Sequence, residues 1–145
     1  MGYCHKGKGS RLMALVDANG LPISLSLHAA NPHEVTLTFD LVQNCWTEEL
    51  PERVIGDKAF DSDGLDEQLG ACGVEMIAAH RKNRKKPKTQ DGRKLRRAKR
   101  RWKVERFFSH LQNFRRMVVR YEYKPANFLG FVLLAAIIMH VKYRF

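Results

Sequence analysis

Arg53-Val54-Ile55-Gly56-Asp57-Lys58-Ala59-Phe60-Asp61-Ser62-Asp63 sets a short apolar pair between turn residues and follows it with three acids. Pro51 breaks the chain just before, and a continuous apolar pair flanked in this way suits a buried parallel strand. A carboxylate at the carboxyl end of such a strand lies in the crevice where ligands bind. Asp61 and Asp63 have an ordinary duty as acids at the start of a helix predicted from about Ser62 to Cys72, where the helix dipole favours them. Asp57 has no such duty and is the first candidate site residue. Val74 to Ala79 reads as another short strand, which closes a strand, helix, strand unit.

Working towards the N-terminus, His33-Glu34-Val35 begins an amphipathic helix after Asn31-Pro32, with Val35, Leu37 or Thr38, Leu41, Val42 and Cys45 inward. His33 reads as a helix-start residue, since no second ligand type stands three or four positions on. Before it, Arg11 to Val16 reads as a strand, preceded by a turn at Gly7 to Ser10. Asp17-Ala18-Asn19-Gly20 then carries the Asn-Gly signal of a hairpin. Leu21 to His28 alternates apolar and polar residues as a half-buried second strand, with Pro22 at its start, where a missing donor is tolerated.

Working towards the C-terminus, the charge changes abruptly. The 145 residues carry a net charge of +11, and most of the cations lie between Arg81 and Lys103. There Arg81, Lys82, Arg84, Lys85, Lys86, Lys88, Arg93, Lys94, Arg96, Arg97, Lys99, Arg100, Arg101 and Lys103 are opposed only by Asp91. A cluster this dense meets phosphate; the plain alternatives are a solvated loop or a localisation signal. It leads into Arg100-Arg101-Trp102-Lys103-Val104-Glu105-Arg106-Phe107-Phe108-Ser109-His110-Leu111-Gln112-Asn113-Phe114-Arg115-Arg116. At about 100° per residue this is a helix with Val104, Phe107, Phe108, Leu111, Phe114 and Val118 on one buried face. Arg101, Glu105, Gln112 and Arg116 form the neighbouring stripe, and Trp102 points away from the apolar face.

Glu105, an acid among cations, has two readings. One is a surface acid paired four residues back with Arg101, contributing about 0.3–0.5 kcal/mol. The other is a metal-binding carboxylate set where basic side chains hold a polyanion. A final helix from about 125 to 143 is apolar nearly all round, so it is buried on several sides or covered by a partner. Its continuous apolar run, Phe128 to Met139, is about 12 residues, short of the roughly 20 that cross a bilayer. Hydrophobic residues make up 44% of the chain, enough for one domain with a core. Cys4, Cys45 and Cys72 form no ligand or disulfide pattern, which suits a reducing compartment. No apolar leader opens the chain. No internal repeat, glycine-rich phosphate loop or Ser/His/Asp arrangement is present in the sequence.

Two strands in a hairpin, a helix, a strand ending in Asp, a helix, a strand and a helix carrying Glu make up most of a ribonuclease-H-like α/β fold. Arg53 to Asp63, Arg101-Trp102-Lys103-Val104-Glu105-Arg106 and Asn113-Phe114-Arg115-Arg116 together resemble the DDE transposases of bacterial insertion sequences, over nearly the whole chain. The resemblance implies a mixed sheet with flanking helices and two Asp and one Glu holding Mg2+ or Mn2+. The activity it implies is DNA strand cleavage and strand transfer in a cytoplasmic, nucleoid-associated protein. By position, Asp57 matches the second Asp, Glu105 the Glu, and Arg101 the arginine of the family's tyrosine, arginine, glutamate, lysine signature. Ala98 and Gln112 stand where the tyrosine and lysine are expected.

The implied catalytic and metal residues are therefore Asp57 and Glu105. The implied DNA contacts are Arg81, Lys82, Arg84, Lys85, Lys86, Lys88, Arg100, Arg101, Lys103, Arg115 and Arg116. The family's first Asp lies on a strand before the segment that Lys6-Gly7-Lys8-Gly9-Ser10 resembles. Asp17 is no replacement: with antiparallel first and second strands it falls at the far end of the sheet from Asp57, a strand's length of about 17–20 Å. The resemblance thus predicts an incomplete triad, a missing central strand and little cleavage by this chain alone. A homo-oligomer or an intact transposase is the protein partner it suggests; a non-catalytic DNA-binding remnant or an interaction fragment is the alternative.

Overall fold

The computed structural model describes residues 2–4, 7–85, 87, 96 and 98–144. The chain is mixed α/β and divides into two compact units, Met1–Pro32 with Lys103–Phe145, and His33–Trp102.

In the second unit, α1 (Glu34–Gln43), β4 (Arg53–Gly56), α2 (Asp63–Ala71) and β5 (Glu75–Ala78) follow in order. β4 and β5 pair in parallel, with Val54 opposite Met76 and Ile55 opposite Ile77. The apolar pair that marks β4 in the sequence is thus held by Met76 and Ile77, both buried. α2 packs on β5 and α1 on α2. Leu41, Val42, Leu65, Leu69 and Val74 are buried beside the strands. His33 is the backbone N-cap of α1, the helix-start role expected of it. Gly73, at φ +76°, ends α2, and the Val74 amide donates to the Leu69 carbonyl at 3.0 Å. This left-handed residue lets the chain turn directly into β5.

In the first unit, β1 (Gly2–Cys4), β2 (Gly7–Val16) and β3 (Pro22–Ala29) are antiparallel. The hairpin between β2 and β3 is as read: Asp17 accepts from the amides of Asn19 (2.8 Å) and Leu21 (2.9 Å), and Gly20 has φ +86°. Gly7 to Ser10, expected as a turn, is strand, because Gly7, Lys8 and Gly9 pair with Cys4, Tyr3 and Gly2. One mixed sheet was the expectation; the described strands hydrogen-bond as a three-stranded antiparallel sheet and a two-stranded parallel one.

The predicted Glu105 helix is interrupted. α3 spans Trp102–Leu111, and α4 (Arg115–Val118) restarts after Phe114 in extended conformation. Phe107 and Leu111 are buried as expected and join Val132, Ala135 and Met139 of α5 (Pro125–Arg144) in the core of this unit. Val118, placed on the same face by periodicity, is 63% exposed, since the break resets the phase of the helix. α5 buries only that one stripe; Phe131, Leu134, Ile137, Ile138 and Val141 are exposed. The helix extends beyond the 12-residue apolar run. Pro125–Lys142, at mean hydropathy 1.6, is long and apolar enough to cross a membrane by length and composition.

Candidate functional site

β4 delivers Asp57 at its carboxyl end, as the sequence predicts. The next three residues, Lys58–Phe60, form a 3-10 turn with Asp57 as its N-cap, a capping duty expected from sequence of Asp61 and Asp63 and not of Asp57. Asp57 Oδ1 accepts from the Ala59 amide at 2.7 Å. Asp57 is exposed, and its Oδ2 has no partner among the described residues. A carboxylate with one oxygen fixed and the other open to solvent fits a divalent-cation ligand, because its orientation is set before the ion arrives. Gly56 is required by the same turn: a Cβ there would lie 2.7 Å from Met76 Cε and 2.8 Å from Phe60 Cδ2.

Asp61, read from sequence as a helix-start acid, is instead the centre of a buried network. Its side chain is 5% exposed. Oδ1 accepts from His80 Nδ1 at 3.0 Å and from Arg84 Nη1 at 2.8 Å, and Oδ2 from the Arg81 amide at 2.8 Å. Arg84 Nη2 reaches Asp63 at 2.6 Å. Burial alone would raise the Asp61 carboxyl. The Arg81 amide, the His80 ring and the Arg84 charge outweigh burial and hold it below the ordinary carboxylate value. Asp66, pushed up by burial and by the neighbouring charges of Asp63 and Asp61, marks the acid-rich side of this network. The sequence carried a signal for it. Parallel strands end side by side, so the segment leaving β4 (Asp57 to Asp63) meets the segment leaving β5 (His80 to Arg84).

The predicted DNA contacts divide by what their side chains touch. Arg84 is engaged with two carboxylates. Arg81 donates from Nε to the Lys58 carbonyl (3.0 Å) and from Nη2 to the Ala59 carbonyl (2.6 Å). Lys82 and Lys85 are exposed beside them, while Lys86 and Lys88 lie outside the described residues. Arg100 and Arg101 are exposed on a 3-10 turn, Ala98–Arg101, that packs against β4. This places cations beside the strand that ends in Asp57.

Glu105 belongs to the other unit, exposed in the first turn of α3. There Lys103 Nζ donates to the Ala18 carbonyl and Arg106 Nη2 to the Asn19 carbonyl, tying α3 to the hairpin turn. Within that turn Asp17 Oδ1 accepts from the amides of Asn19 and Leu21. Arg115 is exposed; Arg116 pairs with Glu122 at 3.1 Å and lies over the Tyr121 and Phe131 rings. Among the described residues no group of three His, Cys, Asp or Glu is placed to hold a metal ion.

Residues 2–139 match the family model described as the transposase DDE domain. A Burkholderia cepacia protein titled "Putative transposase for insertion sequence element IS402" is 31% identical over 122 residues, covering 79% of this chain and 54% of that protein. The chain thus spans about half the length of this curated relative. No solved structure matches the chain.

Proposed function

The chain belongs to the transposase DDE domain family, and from that premise we propose that it serves DNA transposition through metal-assisted phosphoryl transfer, with Asp57 and Glu105 as metal carboxylates. The observation that carries this is Asp57 itself, exposed at the end of a parallel strand with one oxygen anchored and the other open. In such chemistry a water and then a DNA 3′-hydroxyl attacks a backbone phosphorus, and the bond from phosphorus to the leaving 3′-oxygen breaks. A bound divalent ion supplies charge stabilisation at the attacking and leaving oxygens. Arg101 neutralises a phosphate oxygen near the reacting centre. Lys82, Lys85, Arg100 and Arg115 contact backbone phosphates, and Lys86 and Lys88 add positive charge in the sequence.

The same proposal takes the chain, 1–145, as catalytic-domain material of ribonuclease-H-like type. The parallel β4–β5 pair and the antiparallel β2–β3 hairpin support it. A ligand set of two Asp and one Glu requires a carboxylate beyond Asp57 and Glu105.

Manganese titration of the chain and of its Asp57→Asn and Glu105→Gln variants tests the metal assignment. Each variant is expected to lose at least about tenfold in Mn2+ affinity while keeping its affinity for duplex DNA. Unchanged Mn2+ binding in both, with weakened DNA binding, would sink the assignment. That result would leave the second reading, a DNA-binding chain without cleavage chemistry, which the exposed cations support by themselves.

A further inference from the structure

A candidate metal carboxylate on a three-residue turn needs something to hold the turn. Its own hydrogen bonds are weak: the Phe60 amide reaches the Asp57 carbonyl at 3.2 Å and the Asp61 amide the Lys58 carbonyl at 3.4 Å. Isolated 3-10 turns of this length have poor hydrogen-bond geometry and no cooperative length to draw on. Among the described residues, the side-chain hydrogen bonds to the turn's carbonyls come from one residue. The Arg81 guanidinium spans the Lys58 and Ala59 carbonyls, and the Arg81 amide donates to Asp61 Oδ2. Arg81 therefore grips the loop after β4 at Lys58, Ala59 and Asp61, passing over Phe60, whose ring is packed against Gly56.

We infer that Arg81 is a positioning residue that clasps the 58–60 turn and so fixes the Asp57 carboxylate for a divalent cation, and that its guanidinium is not primarily a DNA phosphate contact. This rests on the assignment of Asp57 as a metal ligand. The planar fork suits the task, since two donors on one rigid group meet two carbonyls one residue apart. A lysine at this position keeps the charge and loses the fork. His80 and Arg84 act one step back: through Asp61 they hold the 80–84 segment against the loop. Parts that orient a metal ligand typically change metal affinity by about 10–100-fold when removed.

Arg81→Lys in the full chain separates the clasp from a phosphate contact, with Asp57→Asn as reference. Three readouts are taken: amide hydrogen exchange at Ala59, Mn2+ affinity, and affinity for a duplex oligonucleotide at fixed salt. The expected result is at least about tenfold faster exchange at Ala59 with β4, β5 and α2 amides unchanged, about tenfold or greater loss of Mn2+ affinity, and unchanged DNA affinity. In Arg81→Ala, millimolar methylguanidine is expected to restore protection at Ala59. Ala59 exchange and Mn2+ affinity both unchanged in Arg81→Lys would overturn the clasp. So would a DNA-affinity loss in Arg81→Ala that Lys repairs while Ala59 stays protected. Unchanged Mn2+ binding in Asp57→Asn would instead overturn the metal assignment alone, and exchange at Ala59 would still decide the clasp.

Discussion

Asp61 shows how far one residue's role departs from its position in the sequence. Its network joins the segments after β4 and β5 through one nearly buried carboxylate, so removing it leaves Arg84 and His80 facing each other, with Asp63 and the Pro87 carbonyl as the remaining partners of Arg84 among the described residues. Breaking a buried pair of this kind costs about 3–5 kcal/mol; with Asp63 remaining, Asp61→Ala is expected near about 3 kcal/mol by urea unfolding. The pH dependence comes from the direction of the shift. Asp61 is held below the ordinary value of 3.8 in the folded chain. Its stabilisation is therefore complete above that value and is lost as pH falls through the lower, folded one. Asp66 works in the opposite sense, being raised, so the difference between parent and variant is the quantity to follow. That gap should stay constant down to about pH 5 and close below about pH 4; a gap that widens in acid would show the shift to be upward. Gly56→Ala makes a separate prediction at this scale. Its new Cβ would meet the Phe60 ring and Met76 Cε below 3 Å. The cost should be about 1–3 kcal/mol, with the loss of protection centred on the turn that carries Asp57. The place of Asp57 at a strand end was legible because a short apolar run followed by an acid has a local signature. Asp61 was not, because its partners lie 19 to 23 residues away.

At the level of elements, local patterns identified what local physics controls. The β2–β3 hairpin rests on Asp17 and Gly20, and the β4–α2–β5 unit on an apolar pair, a helix start with acids in its first turn and a left-handed Gly73. Pairing partners outside the local window decided the rest. Gly7 to Ser10 looked like a turn by composition, yet pairing with Gly2–Cys4 makes it strand, since strand propensity yields to context. α3 extends the lesson: periodicity placed Phe107 and Val118 on one face, but Phe114 leaves the helix and separates them. Phe107 is 1% exposed in the core of its unit, and Phe107→Ala should cost about 3–5 kcal/mol. Val118→Ala should stay within about 0.5 kcal/mol, as for other exposed positions. Equal losses in thermal or urea unfolding would mean that the helix continues through Phe114 and that the periodic reading was right.

For the molecule as a whole, the net charge of +11 fits the proposed hold on DNA, but does not say which cations would make it. Side-chain contacts divide them. Arg84 is bound to Asp61 and Asp63, Arg81 grips backbone carbonyls, Lys103 meets the hairpin and Arg116 meets Glu122. Lys82, Lys85, Arg100 and Arg115 are exposed. Each neutralised phosphate lowers the slope of log affinity against log salt by about 0.9, so contacts from these four alone give a slope of about −3.6, steeper if Lys86 and Lys88 join. Lys82→Ala and Lys85→Ala should each flatten it by about one. Arg84→Ala should lower the unfolding midpoint and leave the slope alone, although it removes the same unit charge. Glu105→Gln removes an acid from a cationic stretch and should hold or raise DNA affinity at every salt concentration. Fluorescence anisotropy with one duplex across a salt series measures all four. If Arg84→Ala flattened the slope as much as Lys85→Ala, binding would be following total charge, and the division of cations by their contacts would have to be abandoned.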